Sequence, residues 1–460
     1  MPARSLTEGS VTRAILAVST PMTLGILGVI SVGLADAYFL GLVGQVQLAA
    51  VGYIYPVTVA VTSLSIGLAA GANAALSQSI GAGEDPDHTE RMGLHALGIG
   101  LVVGIAVGAA LWAGQGPLFR LIGATGAVTA EIADYVFWWA MSFPFLVLSM
   151  LVGAMFRARG DGVTASTIMT AQAATNIVLD PVLIFGLGPA PEMSTGGAGL
   201  ATFLVRVGAT VGGLWWAWRR GHLTTWRDPL DRVGESARRI GEVGLPAAIS
   251  NGINPAGMAA VTAAVATLGE AAVAGFGAAT RVQTLALVPM LALSSGIGPV
   301  IGQNWGAGRE DRARRAMRAT FLMCLGYGAF IGTILVVFGG TVATALASGP
   351  EDARHAETYL RIVGYSLFGY GAVVTANAAM NGRSKAAWSM GLSLTRILGV
   401  YLPLAWILVG LMGFTGIALA AALANLAGAA AALLATQATG LGAMSMRGLE
   451  VRRGEAVPGE

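Results

Sequence analysis

Long apolar stretches separated by short polar connectors run through almost the whole chain. A helix needs about 20 consecutive apolar residues to cross a bilayer. Twelve stretches meet that length. The first six lie at roughly 14–40, 48–76, 93–113, 134–157, 163–187 and 197–218, and the second six at roughly 243–268, 272–301, 317–341, 358–381, 386–411 and 414–437. They predict an all-α integral membrane protein of twelve transmembrane helices. The longest charged connector, about 219–242, falls between the two sets. The expected organisation is a six-helix bundle over 1–220, a linker over 221–242, a second six-helix bundle over 243–440 and a polar, mobile tail over 441–460. Arg4 and Arg13 precede the first stretch, which is too long for the 7–15-residue core of a cleavable signal, so it reads as a span.

Composition agrees with that pattern and removes the soluble alternatives. The chain is 55% hydrophobic and only 11% charged, with a mean hydropathy of +0.69. Soluble domains carry about 25% charged residues. A chain this poor in charge cannot cover a water-facing surface, so lipid is its main solvent. The single cysteine, Cys324, excludes an internal disulfide framework and reads as a small packing residue. Sixty-six glycines fit helix packing in lipid, and Gly100, Gly104 and Gly108 form one such stripe. Trp215, Trp216 and Trp218, followed by Arg219 and Arg220, read as an interfacial anchor.

Charge placement predicts orientation. With the N-terminus in the cytoplasm, cytoplasmic segments hold 21 of the 27 Lys and Arg residues. External loops hold only Arg120, Arg354 and Arg361, and Arg206, Arg281 and Arg396 fall within spans. Cytoplasmic loops are the basic ones, so both termini are expected there. The formal net charge of +3 follows from this rule and calls for no nucleic-acid partner.

An internal repeat organises the rest. Gln78-Ser-Ile-Gly-Ala-Gly83 closes the second span and Gln303-Asn-Trp-Gly-Ala-Gly308 the eighth, 225 residues later. The same offset pairs Pro21 with Pro246, Gly52 with Gly277 and Gly71 with Gly296, and Gly160 pairs with Gly382 at a slightly smaller one. A shared offset argues for duplication. Six spans return the chain to the side it started from, so the halves should be related by an axis along the membrane normal, with a cavity between or inside them.

These motifs, with Gly244-Leu-Pro246 and Thr175-Asn-Ile-Val-Leu-Asp-Pro181, resemble the MATE (multidrug and toxic compound extrusion) family over about residues 12–437. The resemblance implies two bundles in a V and a bacterial cytoplasmic-membrane monomer without a cofactor. It also implies efflux of cationic or amphipathic small molecules in exchange for H⁺ or Na⁺. The DinF branch is the more similar one. The NorM branch has acids in its second half, where this chain has Asn254 and Tyr370. Coupling is therefore expected in the first half.

Asp36 and Asp180 are the plainly intramembrane acids. Such a carboxylate costs from about 2.5 kcal/mol upward and by default marks function. Both sit near the outer ends of their spans, at 1.5 Å per residue roughly 8–10 Å inside the boundary. Two carboxylates at one level can share a proton or bind a cation, and Asn176, one turn below Asp180, can hydrogen-bond there. Na⁺, if it is the ion, is expected at Asp36, Asp180 and Asn176. The competing reading is that each Asp snorkels separately to the headgroups. The family resemblance adds Thr202 and Tyr135 to the cluster. From the residues alone, Thr202 could equally bond its own helix backbone, and Tyr135 could be an interfacial belt residue. The resemblance also places a bending proline at Pro21, about four turns below Asp36. Pro21 removes the hydrogen bond to the Ala17 carbonyl, and Gly25, Gly28 and Gly33 soften the segment above it. Arg281 reads as a structural partner of helix-end carbonyls or a cavity lining. A fixed positive charge is a poor lining for a cation path, which favours structure. Arg206 and Arg396 read as structural or snorkelling cations. Asn251, Asn254 and Pro255 predict a broken, polar seventh helix that lines the cavity or bends, and Asn377 is a further lining candidate.

Other classes fit less well. The major facilitator fold also has two six-helix halves, but the connector after the second span reads Glu84-Asp-Pro-Asp-His-Thr-Glu-Arg91, without that fold's Arg-rich loop. A lipid-linked sugar flippase of the same superfamily would need more buried cations for phosphate. A membrane enzyme would need a polar catalytic set, and His88, His95, His222 and His355 are scattered without ligand spacing.

Overall fold

The computed structural model describes residues 6–224, 228–347 and 349–442. The tail read over 441–460 lies, from residue 443 on, outside the described residues, as does Arg4. Twelve helical rods follow one another. They are α1 (Val11–Val43), α2 (Gln45–Ala82), α3 (Pro86–Leu121), α4 (Ala127–Ala158), α5 (Gly162–Ile184) and α6 (Ser194–Arg219). The second set is α7 (Val233–Ala266), α8 (Glu270–Gly306), α9 (Glu310–Leu346), α10 (Pro350–Gly382), α11 (Ala386–Met412) and α12 (Phe414–Ala438). Ten are long and apolar enough to cross a membrane, and α8 joins them when its two arms, bent by 44° next to Pro289, count as one span. Large apolar side chains such as Leu24, Phe330 and Leu434 lie more than half exposed on the outside, as lipid-facing groups do.

Helix ends differ from the expectation wherever a polar turn extends an apolar core. α7 begins at Val233, ten residues earlier than expected, because Glu235, Arg238, Arg239 and Glu242 make a charged, ion-paired start to the helix. The segment read as linker is therefore half helical. α7 is also continuous where a break was expected. Pro246 and Pro255 lie inside it, and the Asn251 side chain donates from Nδ2 to the Ala247 carbonyl at 2.7 Å. The second-half rods carry the irregularities instead. α10 contains a 3₁₀ turn at Gly364–Ser366, and α11 widens to a π-helix at Thr395–Tyr401.

Small residues set the packing inside each bundle. A β-carbon on Gly104 would stand 2.6 Å from Pro144, and one on Gly108 2.6 Å from the Ala140 carbonyl, so the Gly100 stripe seats α3 on α4 as expected. Arg219 stacks over Trp215 at 5.0 Å and Arg220 over Trp216 at 5.9 Å at the end of α6.

The bundles meet at the end of the molecule that carries the N-terminus. There the repeated motifs interlock reciprocally. A β-carbon on Gly81 would meet the Gln303 carbonyl at 2.0 Å, and one on Gly306 the Gln78 carbonyl at 2.2 Å. Gln78 donates from Nε2 to the Gly382 carbonyl at 2.6 Å, and Gln303 to the Ala158 carbonyl at 2.7 Å. Each half thus caps a helix end of the other. Gly67 presses on Ala248, Gly71 on the Ile240 carbonyl and Gly296 on Ser19. The Leu6 backbone N–H donates to Gln303 Oε1 at 3.0 Å, strapping the N-terminal segment across the seam. Toward the opposite end the halves part. Gly33, Gly52 and Gly277 have nothing within 4 Å of a would-be β-carbon, and Leu34, Tyr38 and Tyr55 are exposed. The result is a cleft closed at the N-terminal end and open at the other.

Candidate functional site

α1 and α5 pack along stripes of small residues, and those stripes end in the two acids. On α5, Ser166, Met169, Ala173, Asn176 and Asp180 recur three or four residues apart and so share a face. On α1, Gly25 and Asp36 are three turns apart with only about 20° of drift. A β-carbon on Gly25 would stand 3.1 Å from that of Met169, and one on Gly28 2.9 Å from that of Ala173. The same register, continued upward, brings the Asp36 and Asp180 carboxyls within hydrogen-bond reach of each other. Two carboxyls at that separation can share a proton or hold a cation, either of which relieves their mutual repulsion.

The rest of the cluster closes around this pair. Asn176 donates from Nδ2 to Asp180 Oδ1 at 3.1 Å, and both residues are buried. Tyr135 of α4 is buried and lies beside Thr202 of α6. All five residues expected to form the coupling cluster therefore lie together, drawn from α1, α4, α5 and α6. Asp36 Oδ1 and Asp180 Oδ2 are buried without a hydrogen-bond partner. A buried acceptor left unmade costs about 1–3 kcal/mol, so each is an open position for a proton, a water or a hard cation. Among the described residues no group of three or more His, Cys, Asp or Glu that could hold a metal ion forms, here or elsewhere.

Sequence reasoning missed one member. Arg206, one turn beyond Thr202, lies close to Asp36 and Tyr135. Its Nη1 donates to Ser142 Oγ at 2.5 Å, and its guanidinium sits over the Trp139 ring at 5.1 Å. The signal was the four-residue spacing from Thr202, which puts the two side chains on one face.

The other expected residues are distributed differently. Pro21 lies on the α1 stripe one turn before Gly25, and its carbonyl accepts a hydrogen bond from Ser166 Oγ of α5. Asn254 and Tyr370 both meet Arg396, whose Nη2 donates to Asn254 Oδ1 at 2.8 Å and whose guanidinium lies 4.9 Å from the Tyr370 ring centre. Asn425 Oδ1 accepts from Arg396 Nη1 at 3.3 Å. The second bundle thus buries a cation near its middle, deeper than the acids of the first. Asn377 donates to Ser393 Oγ at 2.9 Å between α10 and α11. Asn251 satisfies its own helix, as described above. Arg281 is exposed and makes no hydrogen bond or ion pair among the described residues. It lies on the first arm of α8, before the 44° bend. No helix-end carbonyl among the described residues accepts from it, contrary to the structural role expected.

Comparisons with known proteins agree with this architecture. The MatE family model matches twice, over residues 21–182 and 246–407, an offset of 225 that equals the spacing of the repeated motifs. The FAD transporter of Shewanella oneidensis is 31% identical, covering 92% of this chain and 93% of that one. The multidrug export protein MepA of Staphylococcus haemolyticus is 22% identical over 89% of this chain and 90% of its own. Among solved structures, the Vibrio cholerae MATE transporter VcmN in its bent form superposes with a TM-score of 0.87 at 27% identity, covering 94% of this chain and 97% of that one. An outward-facing multidrug resistance MATE transporter gives 0.90 at 24% identity, covering 96% and 98%. With two copies of the family's unit and its two-bundle fold, this chain belongs to the MatE family of membrane transporters and is a transporter, not an enzyme.

Proposed function

We propose that the chain is an ion-coupled efflux antiporter of amphipathic small molecules in a bacterial cytoplasmic membrane. Both termini are cytoplasmic, and the cleft described above opens outward. Asp36 and Asp180 carry the coupling ion, H⁺ or Na⁺, with Asn176, Tyr135 and Thr202 shaping the site. The observation that carries this reading is the buried contact between the two carboxyls, each with an oxygen left unpartnered. Uptake into everted vesicles, with pH and Na⁺ gradients imposed separately, tests it: one gradient should drive accumulation of a fluorescent cargo and the other should not. Transport indifferent to both gradients would refute the coupling. Protease-accessible tags at either terminus should be cut from the cytoplasmic side only.

Two readings of the cargo are in play. The acids of the first bundle and the multidrug exporters among the relatives support an organic cation. A second reading, an anionic amphipath, is supported by Arg281, an exposed cation without an ionic partner within a membrane-spanning helix, and by the relative named as an FAD transporter. Ethidium and FAD in the same vesicles separate them. An anionic cargo predicts FAD uptake that falls at least tenfold in Arg281→Gln, while ethidium moves in neither protein.

A further inference from the structure

The acids and Arg206 form one electrostatic unit, and its ledger bears on which ion the site can use. The pair with its shared proton carries one negative charge, and Arg206 carries one positive charge. The unit is neutral as it stands. Loss of the proton leaves a second negative charge in a site with little water, where an uncompensated ion is expensive.

The geometry holds the remedy. Arg206 donates from Nη1 to Ser142 Oγ at 2.5 Å, but its Nε is buried and has no partner. Asp36 Oδ1 is likewise buried and has none. A buried donor and a buried acceptor of opposite charge, each without a partner, therefore lie near one another. The Trp139 ring beneath the guanidinium gives it a flat surface on which to turn. The other titratable groups facing the unit are Asp180 from α5 and Tyr135 from α4. From α2 the only titratable side chains are Tyr53, bonded to the Gly123 carbonyl, and the exposed Tyr55. Further out on α4, Glu131 is held by Gln47, Ser194 and Thr195, and Asp134 is exposed.

We propose that Arg206 is the internal counter-ion of the Asp36–Asp180 pair, resting on Ser142 while the proton is shared and turning Nε to Asp36 when the proton leaves, so that the site cycles a proton and leaves no role for sodium. The proton reaches the pair from water on the outer side and passes to water on the cytoplasmic side once the site faces inward, and no other bond forms or breaks. This rests on the reading that the two acids are the coupling site.

The test uses the purified full-length protein and needs no cargo. Tryptophan fluorescence is titrated against pH, with Trp139→Phe to identify the reporting ring, and NaCl binding is followed calorimetrically at alkaline pH. Wild type should titrate and bind no Na⁺. Arg206→Gln should move the midpoint up by about one unit or more, because the deprotonated pair has lost its counter-charge, and should gain measurable Na⁺ binding. Arg206→Lys should restore both. Ser142→Ala removes the competing partner and should move the midpoint down, which keeps the idea testable if Arg206→Gln fails to fold. Wild-type Na⁺ binding would overturn the proposal, as would unchanged midpoints in both Arg206→Gln and Ser142→Ala. If Asp36→Asn and Asp180→Asn transport normally, the underlying coupling assignment fails instead, and the fluorescence titration would then belong to some other group.

Discussion

At the scale of single residues, the acids of the first bundle set what the protein must spend and what it can do. Asp36→Asn and Asp180→Asn should each abolish gradient-driven efflux. Neither should lower the melting temperature, because an amide at either position removes a charge that is costly in lipid. Retained efflux with retained gradient dependence in both variants would move the coupling elsewhere. These two residues were legible in the sequence because a carboxylate in an apolar stretch is conspicuous, and equal depth on parallel helices suggested that they meet. Arg206 is equally conspicuous but, taken alone, reads as a structural or snorkelling cation. Its partners, Ser142 and Trp139, lie on a different helix more than sixty residues away, and no local spacing reveals them. Arg396 hides for the same reason, since Asn254, Tyr370 and Asn425 come from three other helices.

At the scale of elements, α1 joins a proline in its lower half to the coupling acid in its upper half. Pro21 leaves the Ala17 carbonyl without its helical donor, and Ser166 of α5 takes hold of the Pro21 carbonyl itself. The helix is free to bend where it is also tethered, so re-packing after a charge change at Asp36 would pivot there. Pro21→Ala should fold well and bind cargo almost as before, yet export it several-fold more slowly. Wild-type export rates would assign the proline to the fold alone, a role Pro246 fills in α7 where no acid follows. All twelve apolar cores were legible from their length. Their polar extensions were not, since a turn such as Glu235–Arg239 leaves the apolar pattern while remaining helical through its ion pairs. The π-segment Thr395–Tyr401 was illegible too, because it depends on the room Arg396 and Tyr401 take inside the second bundle.

At the scale of the whole molecule, the closed end of the cleft hangs on the Gln78 and Gln303 motifs. Replacing either glutamine by Ala leaves a helix-end carbonyl of the other bundle unpaired, at a cost of about 1–3 kcal/mol. Gly81→Ala should do more, since its methyl would meet the Gln303 carbonyl at 2.0 Å. Ala74, buried against Val243 and Ala386 in the seam, reports on this when changed to Cys in a Cys324→Ser background. Maleimide labelling at that site should rise roughly tenfold for each 1.4 kcal/mol lost from the seam. Labelling no faster than in the unaltered seam would mean that other contacts hold it shut. The sequence showed these motifs as a repeat but not as a lock, because an offset says that two segments are alike and nothing about whether they touch. That they touch reciprocally has a consequence for how the molecule could have arisen. A joint in which residue i of one half meets residue j of the other, and j meets i, is the self-complementary surface by which two identical subunits form a twofold dimer. A six-helix chain carrying one such motif would already possess a complete mating face, oriented correctly in the bilayer. Fusing two copies makes that dimer permanent and releases each half from the demands of symmetry. One half could then carry acids near its outer end while the other carried Arg396 deeper in its bundle, a division of labour closed to a homodimer.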